Sequence, residues 1–204
     1  MNRNYIFLTI LMLVLAAGTW LLKKPAEFKQ IEPNDLLWEI IQPTRYITTD
    51  QVAKMIIEKD PSLLVIDVRS ADEYNEFSLP NAIHMSLDSI LNSSNNMYFG
   101  IKGMNVVFIS NDDIKADQAW IINKRLGYKS MYVMKGGLNR WYETILSPKQ
   151  PAETAPKTDF ELYTFRKGAQ LYFTGAQVDT TSIQKKDKLI IQRKRKTKVT
   201  SGGC

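Results

Sequence analysis

The sequence is nearly empty of the residues that carry nucleophilic and metal chemistry. Among 204 residues there is one cysteine, Cys204, at the last position, and one histidine, His84. A disulfide framework within the chain and a cysteine-based zinc site are therefore excluded. One histidine leaves too few ligands for most transition-metal sites, and neither a metal nor a cofactor is expected. Net charge is also small in the body of the chain. The formal charge is +6, but between Lys185 and Lys198 eight basic residues (Lys185, Lys186, Lys188, Arg193, Lys194, Arg195, Lys196, Lys198) face one acid, Asp187. That stretch is +7, and the rest sums to −1. The high pI thus reports a basic tail, not a nucleic-acid-binding fold, and no nucleic-acid partner is expected.

What the chain does have begins at its N-terminus. Residues 5–22, YIFLTILMLVLAAGTWLL, contain no charge and no proline. Eighteen helical residues at ~1.5 Å each span ~27 Å, close to the bilayer core. Tyr5 and Trp20 sit near the two ends, where amphipathic rings prefer the interface. Ala16-Ala17-Gly18 offers a signal-peptide cleavage site, but the apolar run continues to Leu22 before Lys23 and Lys24. An uncleaved anchor is the preferred reading, making the chain a single-pass membrane protein that contacts the bilayer through residues 5–22. Arg3 on one flank, against Lys23, Lys24 and Lys29 on the other, leans toward a cytoplasmic body, whereas a short basic head before an anchor favours export. The side stays open.

A mainly parallel α/β sheet flanked by helices is expected downstream. Leu36, Leu37, Ile40 and Ile41, bracketed by Pro33 and Pro43, are spaced for one face of a linker helix within residues 25–44. Thr48 to Gln51 and Ser70 to Glu73 fit capping boxes that open two helices. The runs SLLVIDV (62–68), NVVFIS (105–110) and SMYVM (130–134) read as strands, the first continuous enough to be buried on both faces. A short strand falls in NAIHMSL, a helix over 113–126 closes at Gly127, and LNRWYETIL forms a last helix. This β–α alternation predicts a domain over residues 45–148. A linker over 149–158 follows. DFELYTFRKGAQLYF then spaces Phe160, Tyr163, Leu171 and Tyr172 for a helix over 159–175, docked on the body, and residues 176–204 read as a flexible basic tail.

Two stretches carry a resemblance. LLVIDVRSADEYNEFSLPNAIHMSL resembles the first signature of rhodanese-like domains, and GYKSMYVMKGGLNRW resembles their C-terminal signature. Together they cover about residues 45–147 and bring in Asp67, Arg69, Gly136, Gly137 and Trp141 as structural motif residues. Asp67 and Arg69 flank the end of the first buried strand. Arg69 is placed to pair with Asp67, Asp72 or Glu73 and fasten the strand–helix junction. The family moves sulfane sulfur on a cysteine that follows a strand and opens a loop of the form C-x-x-G-x-R. Laid over that pattern, the loop here is Ser110, Asn111, Asp112, Asp113, Ile114 and Lys115. Ser110 stands at the cysteine, Asp113 at the glycine and Lys115 at the arginine.

Serine cannot replace the thiol in this chemistry. A persulfide forms on a thiolate of lowered pKa, and an alkoxide is far too basic to hold transferable sulfur. A serine hydrolase would need a base, and His84 has no recognisable partner. Asp112 and Asp113 repel the anions that such a loop holds. Paired acids suggest a hard-cation site, but the six to eight oxygen ligands it would need are not visible. N-capping of the following helix by Asn111, Asp112 or Asp113 is the simpler role. The expected function is therefore a membrane-anchored, rhodanese-like module without a catalytic cysteine, binding a protein partner in sulfur transfer or transport. The alternative is a sulfurtransferase or carrier that uses Cys204, whose thiol follows a Ser-Gly-Gly arm near the basic cluster. That cluster is also a candidate contact for anionic lipid.

Overall fold

The structure is a computed structural model that describes residues 3–21 and 30–175. The basic tail, Cys204 and Leu22 lie outside the described residues. Five strands form one sheet: β1 (Tyr46–Ile47), β2 (Leu63–Asp67), β3 (Ile83–His84), β4 (Asn105–Ile109) and β5 (Met131–Met134). Their order is β1-β5-β4-β2-β3, and every pair is parallel. In the centre Val65 lies beside Val107, Ile66 beside Phe108 and Asp67 beside Ile109.

The apolar runs of β2 and β4 are unbroken because the sheet is covered on both faces. Alternate residues of β4 feed two cores. Val107 and Ile109 pack with Val52, Ile56, Trp141 and Ile145, while Val106 and Phe108 pack with Ile66, Ile90, Phe99 and Trp120. The first core lies under α3 (Thr49–Ile57), α6 (Gly137–Trp141) and α7 (Lys157–Thr174); the second lies under α5 (Ile114–Arg125), with α2 (Pro33–Ile41) against it. α4 (Ala71–Glu76) joins β2 to β3. Both expected capping boxes are complete, at Thr48 with Gln51 and at Ser70 with Glu73.

Three expectations need correction. The stripe of α7 that packs on the core is the buried Ala169 with the partly buried Phe165 and Phe173, spaced four apart, not the Phe160, Tyr163, Leu171 and Tyr172 set. Ala169 lets the helix approach closely, Phe173 meets Trp141 edge-on at 5.0 Å, and Arg166 forks onto Asp50 with both contacts at 2.7 Å. Tyr172 is left half-exposed. On α2, Leu36 and Ile40 turn inward while Leu37 and Ile41 stay exposed, so the four do not share one face.

The third concerns the N-terminus. α1 (Arg3–Leu21) forms as a helix with apolar side chains exposed on every side. Among the described residues, however, no helix is long and apolar enough to cross a membrane.

Candidate functional site

The chain winds outward from β2 to β3 on one side and from β4 to β5 on the other, so the sheet has its switch point between β2 and β4. In parallel α/β sheets the crevice outside the carboxyl ends of such strands is where ligands sit. Two loops meet there: Val68 to Ser70 after β2, and Ser110 to Asp113 after β4. The Val68 N–H donates to the Ile109 carbonyl at 3.0 Å and holds the two loops together at their base.

Ser110 is 1% exposed. Its hydroxyl oxygen accepts the Ala116 N–H at 3.2 Å, and its proton goes to the Asp112 carbonyl. Ala116 is the third residue of α5, so Ser110 serves one of the open N–H groups at the helix start. Asp112 serves another, accepting the Ile114 N–H at 2.9 Å. The Asp113 carboxylate instead reaches across to the Gly136 N–H, and Asn111 caps nothing. Of the three expected caps, only Asp112 acts as one. Here Ile114, Ala116 and Gly136 each donate to a different side chain.

The Gly136-Gly137 turn supports this loop from behind. The Leu138 N–H donates to the Ser110 carbonyl at 2.8 Å, and Asn139 N–H to the Asn111 carbonyl at 3.0 Å. Gly137 has φ +56°, and a Cβ there would collide with the Ser110 carbonyl and the Asn111 backbone. Only glycine fits both the backbone angle and the approach. Trp141, one turn further on, is buried in the core beneath.

The other wall of the crevice is built on Asp67 and Arg69, which are 0% and 5% exposed. Arg69 Nη2 donates to Asp67 Oδ2 at 2.7 Å and its Nε to Oδ1 at 3.0 Å. Ser78 Oγ adds a bond to Oδ2 at 2.7 Å, and the Phe77 carbonyl takes a further bond from Arg69 Nη2. Asp67 is therefore the direct partner among the three acids considered. His84, half-buried in β3, places Nε2 3.0 Å from the Arg69 carbonyl and its ring 4.9 Å from that of Tyr74, an ordinary packing role.

Between the walls runs a polar bridge that sequence reasoning missed. Arg69 Nη1 donates to Asn111 Oδ1 at 3.0 Å, and Asn111 Nδ2 donates to Glu73 Oε1 at 2.6 Å. Lys115 Nζ lies 3.7 Å from Glu73 Oε2. The Glu73 carboxyl is held down to about 2, chiefly by bonds from the Ser70 hydroxyl and backbone N–H, then by Asn111 and Lys115. The one cation retained from the expected loop pattern is thus matched to an acid. No local signal marks the bridge, because its members lie 42 and 38 residues apart in sequence. Open space lies one strand over, between the carboxyl ends of β1 and β5. There a cavity of about 520 Å³ is lined by Thr48, Asp113, Lys135, Arg140 and the Arg166–Asp50 pair.

Residues 48–144 match the family model of the rhodanese-like domain, a little under half of the chain. No curated protein matches. A rhodanese-like domain protein from Staphylococcus aureus is 22% identical, over 48% of this chain and 90% of that one, with TM-score 0.42. A single-domain sulfurtransferase of Saccharomyces cerevisiae is 19% identical, over 48% and 87%, with TM-score 0.40. A Rhodopseudomonas palustris protein of unknown function, described as a possible tyrosine phosphatase, is 14% identical, over 58% and 93%, with TM-score 0.45.

Proposed function

We propose, starting from the rhodanese-like domain that residues 48–144 form, that the chain is a membrane-associated binding module whose own loop carries no sulfur. The observation behind this reading is the state of Ser110. Its oxygen is buried, accepts one N–H and gives its proton to a carbonyl. A group so placed is a helix cap, and it has neither the thiolate chemistry nor the exposure that sulfur transfer demands. The Arg69–Asn111–Glu73 bridge occupies the crevice where a sulfur-bearing anion would enter. What remains on that rim is a surface for another protein: Ile114 is 64% exposed and Phe77 44%. The family resemblance points to sulfur transfer or transport as the partner's business.

Membrane association rests on α1. A helix that is apolar all round belongs in a core or in lipid, because it has no polar face to turn to water. The side chains from Tyr5 to Leu15 meet no cover in the described protein. The functional test is thiosulfate:cyanide transfer by the Cys204→Ser chain, which contains no thiol. The reading expects no transfer above buffer. Sulfur bound only while Cys204 is present would move the function to a carrier thiol on the tail.

A further inference from the structure

We propose that the outer edge of α2, formed by Leu37, Trp38 and Ile41, rests on the surface of a lipid bilayer and fixes the domain against it. The proposal deepens the reading of α1 as the membrane-held element and rests on it. α2 is not a loose linker. The Ile31 N–H donates to the Arg125 carbonyl at 3.0 Å, Lys124 Nζ pairs with Glu39 at 3.1 Å, and Ile40 packs on the core under α5. The helix is therefore held with one side inward. On the other side Leu37, Trp38 and Ile41 are 59%, 64% and 59% exposed. At positions i, i+1 and i+4 they form one contiguous apolar strip along a single edge.

Lipid is the occupant favoured by the chain itself. Leu21 and Gln30 are separated by nine residue steps, which reach ~32 Å at most. With α1 in a bilayer, α2 cannot leave its neighbourhood. The intervening sequence holds Lys23, Lys24 and Lys29 against Glu27, and Glu32, Asp35 and Glu39 follow at α2, so the apolar strip and not net charge is what favours lipid here. Tryptophan with an apolar body and one N–H is the side chain that favours the headgroup layer. With the α2 and α5 layer toward lipid, α3, α6 and α7 face away, and the carboxyl edge of the sheet opens along the membrane plane. The Ser110 loop then meets a partner that shares the same membrane.

The experiment is tryptophan quenching in the full chain reconstituted into phosphatidylcholine and phosphatidylglycerol vesicles that carry bromine on the acyl chains. The chain has four tryptophans, of which Trp120 and Trp141 are 2% and 1% exposed inside the core. Lipid-quenched emission thus reports Trp20 and Trp38. In Trp20→Phe a quenched component is expected to remain, stronger with bromine near the headgroup than with bromine near the bilayer centre. Trp38→Phe should abolish that component when combined with Trp20→Phe, with an unchanged near-ultraviolet circular dichroism band. Quenching that disappears with Trp20→Phe alone overturns the proposal while leaving α1 in lipid, and assigns the strip to a protein partner. Absence of quenching in the unaltered chain overturns both readings.

Discussion

Replacing Ser110 by alanine isolates the role on which the functional reading depends. The substitution removes the acceptor of the Ala116 N–H, and Ala116 is 0% exposed. A buried donor left without a partner costs ~1–3 kcal/mol. The cost of losing a helix N-cap, ~0.5–2 kcal/mol, describes the same bond and is not added to it. The Asp112 carbonyl also loses its donor, but Asp112 is exposed and water can replace the bond. The expected loss is therefore ~1–3 kcal/mol. For a body of about 150 residues that lowers Tm by roughly 2–4 °C per kcal/mol. Thermal melts of the full chain in detergent, followed by near-ultraviolet circular dichroism, measure it. A change under ~0.5 kcal/mol, the range of ordinary surface substitutions, would refute the cap assignment and reopen Ser110 as a free hydroxyl. Ser110→Cys should also destabilise, since sulfur is a weak acceptor. It should restore little sulfur transfer, because Asp113 and the Asn111 bridge are still in place.

The remaining expectations concern the crevice wall, its acid and the N-terminal helix. Arg69→Ala strands the fully buried Asp67 carboxylate, and a loss of ~3–5 kcal/mol in urea denaturation is expected; a loss near zero would mean that water reaches Asp67. Glu73 has a folded pKa of about 2 against an ordinary 4.5, so its contribution is complete above about 4.5 and is lost as pH falls toward 2. A carboxyl NMR titration should place its midpoint near the lower value and move it upward in Ser70→Ala, whereas an ordinary midpoint in the unaltered chain would contradict the bond network. Alkaline carbonate should leave the chain with the membrane pellet. Release into the supernatant, with a new N-terminus near Thr19, would identify a cleaved leader instead.

Elements governed by local rules were readable in the sequence. The Thr48 and Ser70 boxes span three residues each, and the unbroken apolar runs of β2 and β4 follow from burial on both faces. β1 was not readable, since Tyr46 and Ile47 are too few to show a period. The inner face of α7 was misread because several stripes of aromatic residues compete on it. What selects Phe165, Ala169 and Phe173 is contact with Trp141 and the core, which no local pattern encodes. At the loop, the resemblance to rhodanese-like domains leads one to expect Ser110 at the position of that family's thiol. It does not show that the hydroxyl caps α5, nor that Asn111 turns away from the helix to join Arg69 and Glu73. Both depend on where β2 and β4 bring their loops, a long-range consequence of the sheet.

The most direct test of a sulfur-free loop is persulfide-specific labelling of the full chain in membranes after exposure to thiosulfate, comparing the unaltered protein with Cys204→Ser. The account predicts no sulfane sulfur and no transfer to cyanide in Cys204→Ser. Labelled sulfur or transfer above buffer in that thiol-free chain would contradict it.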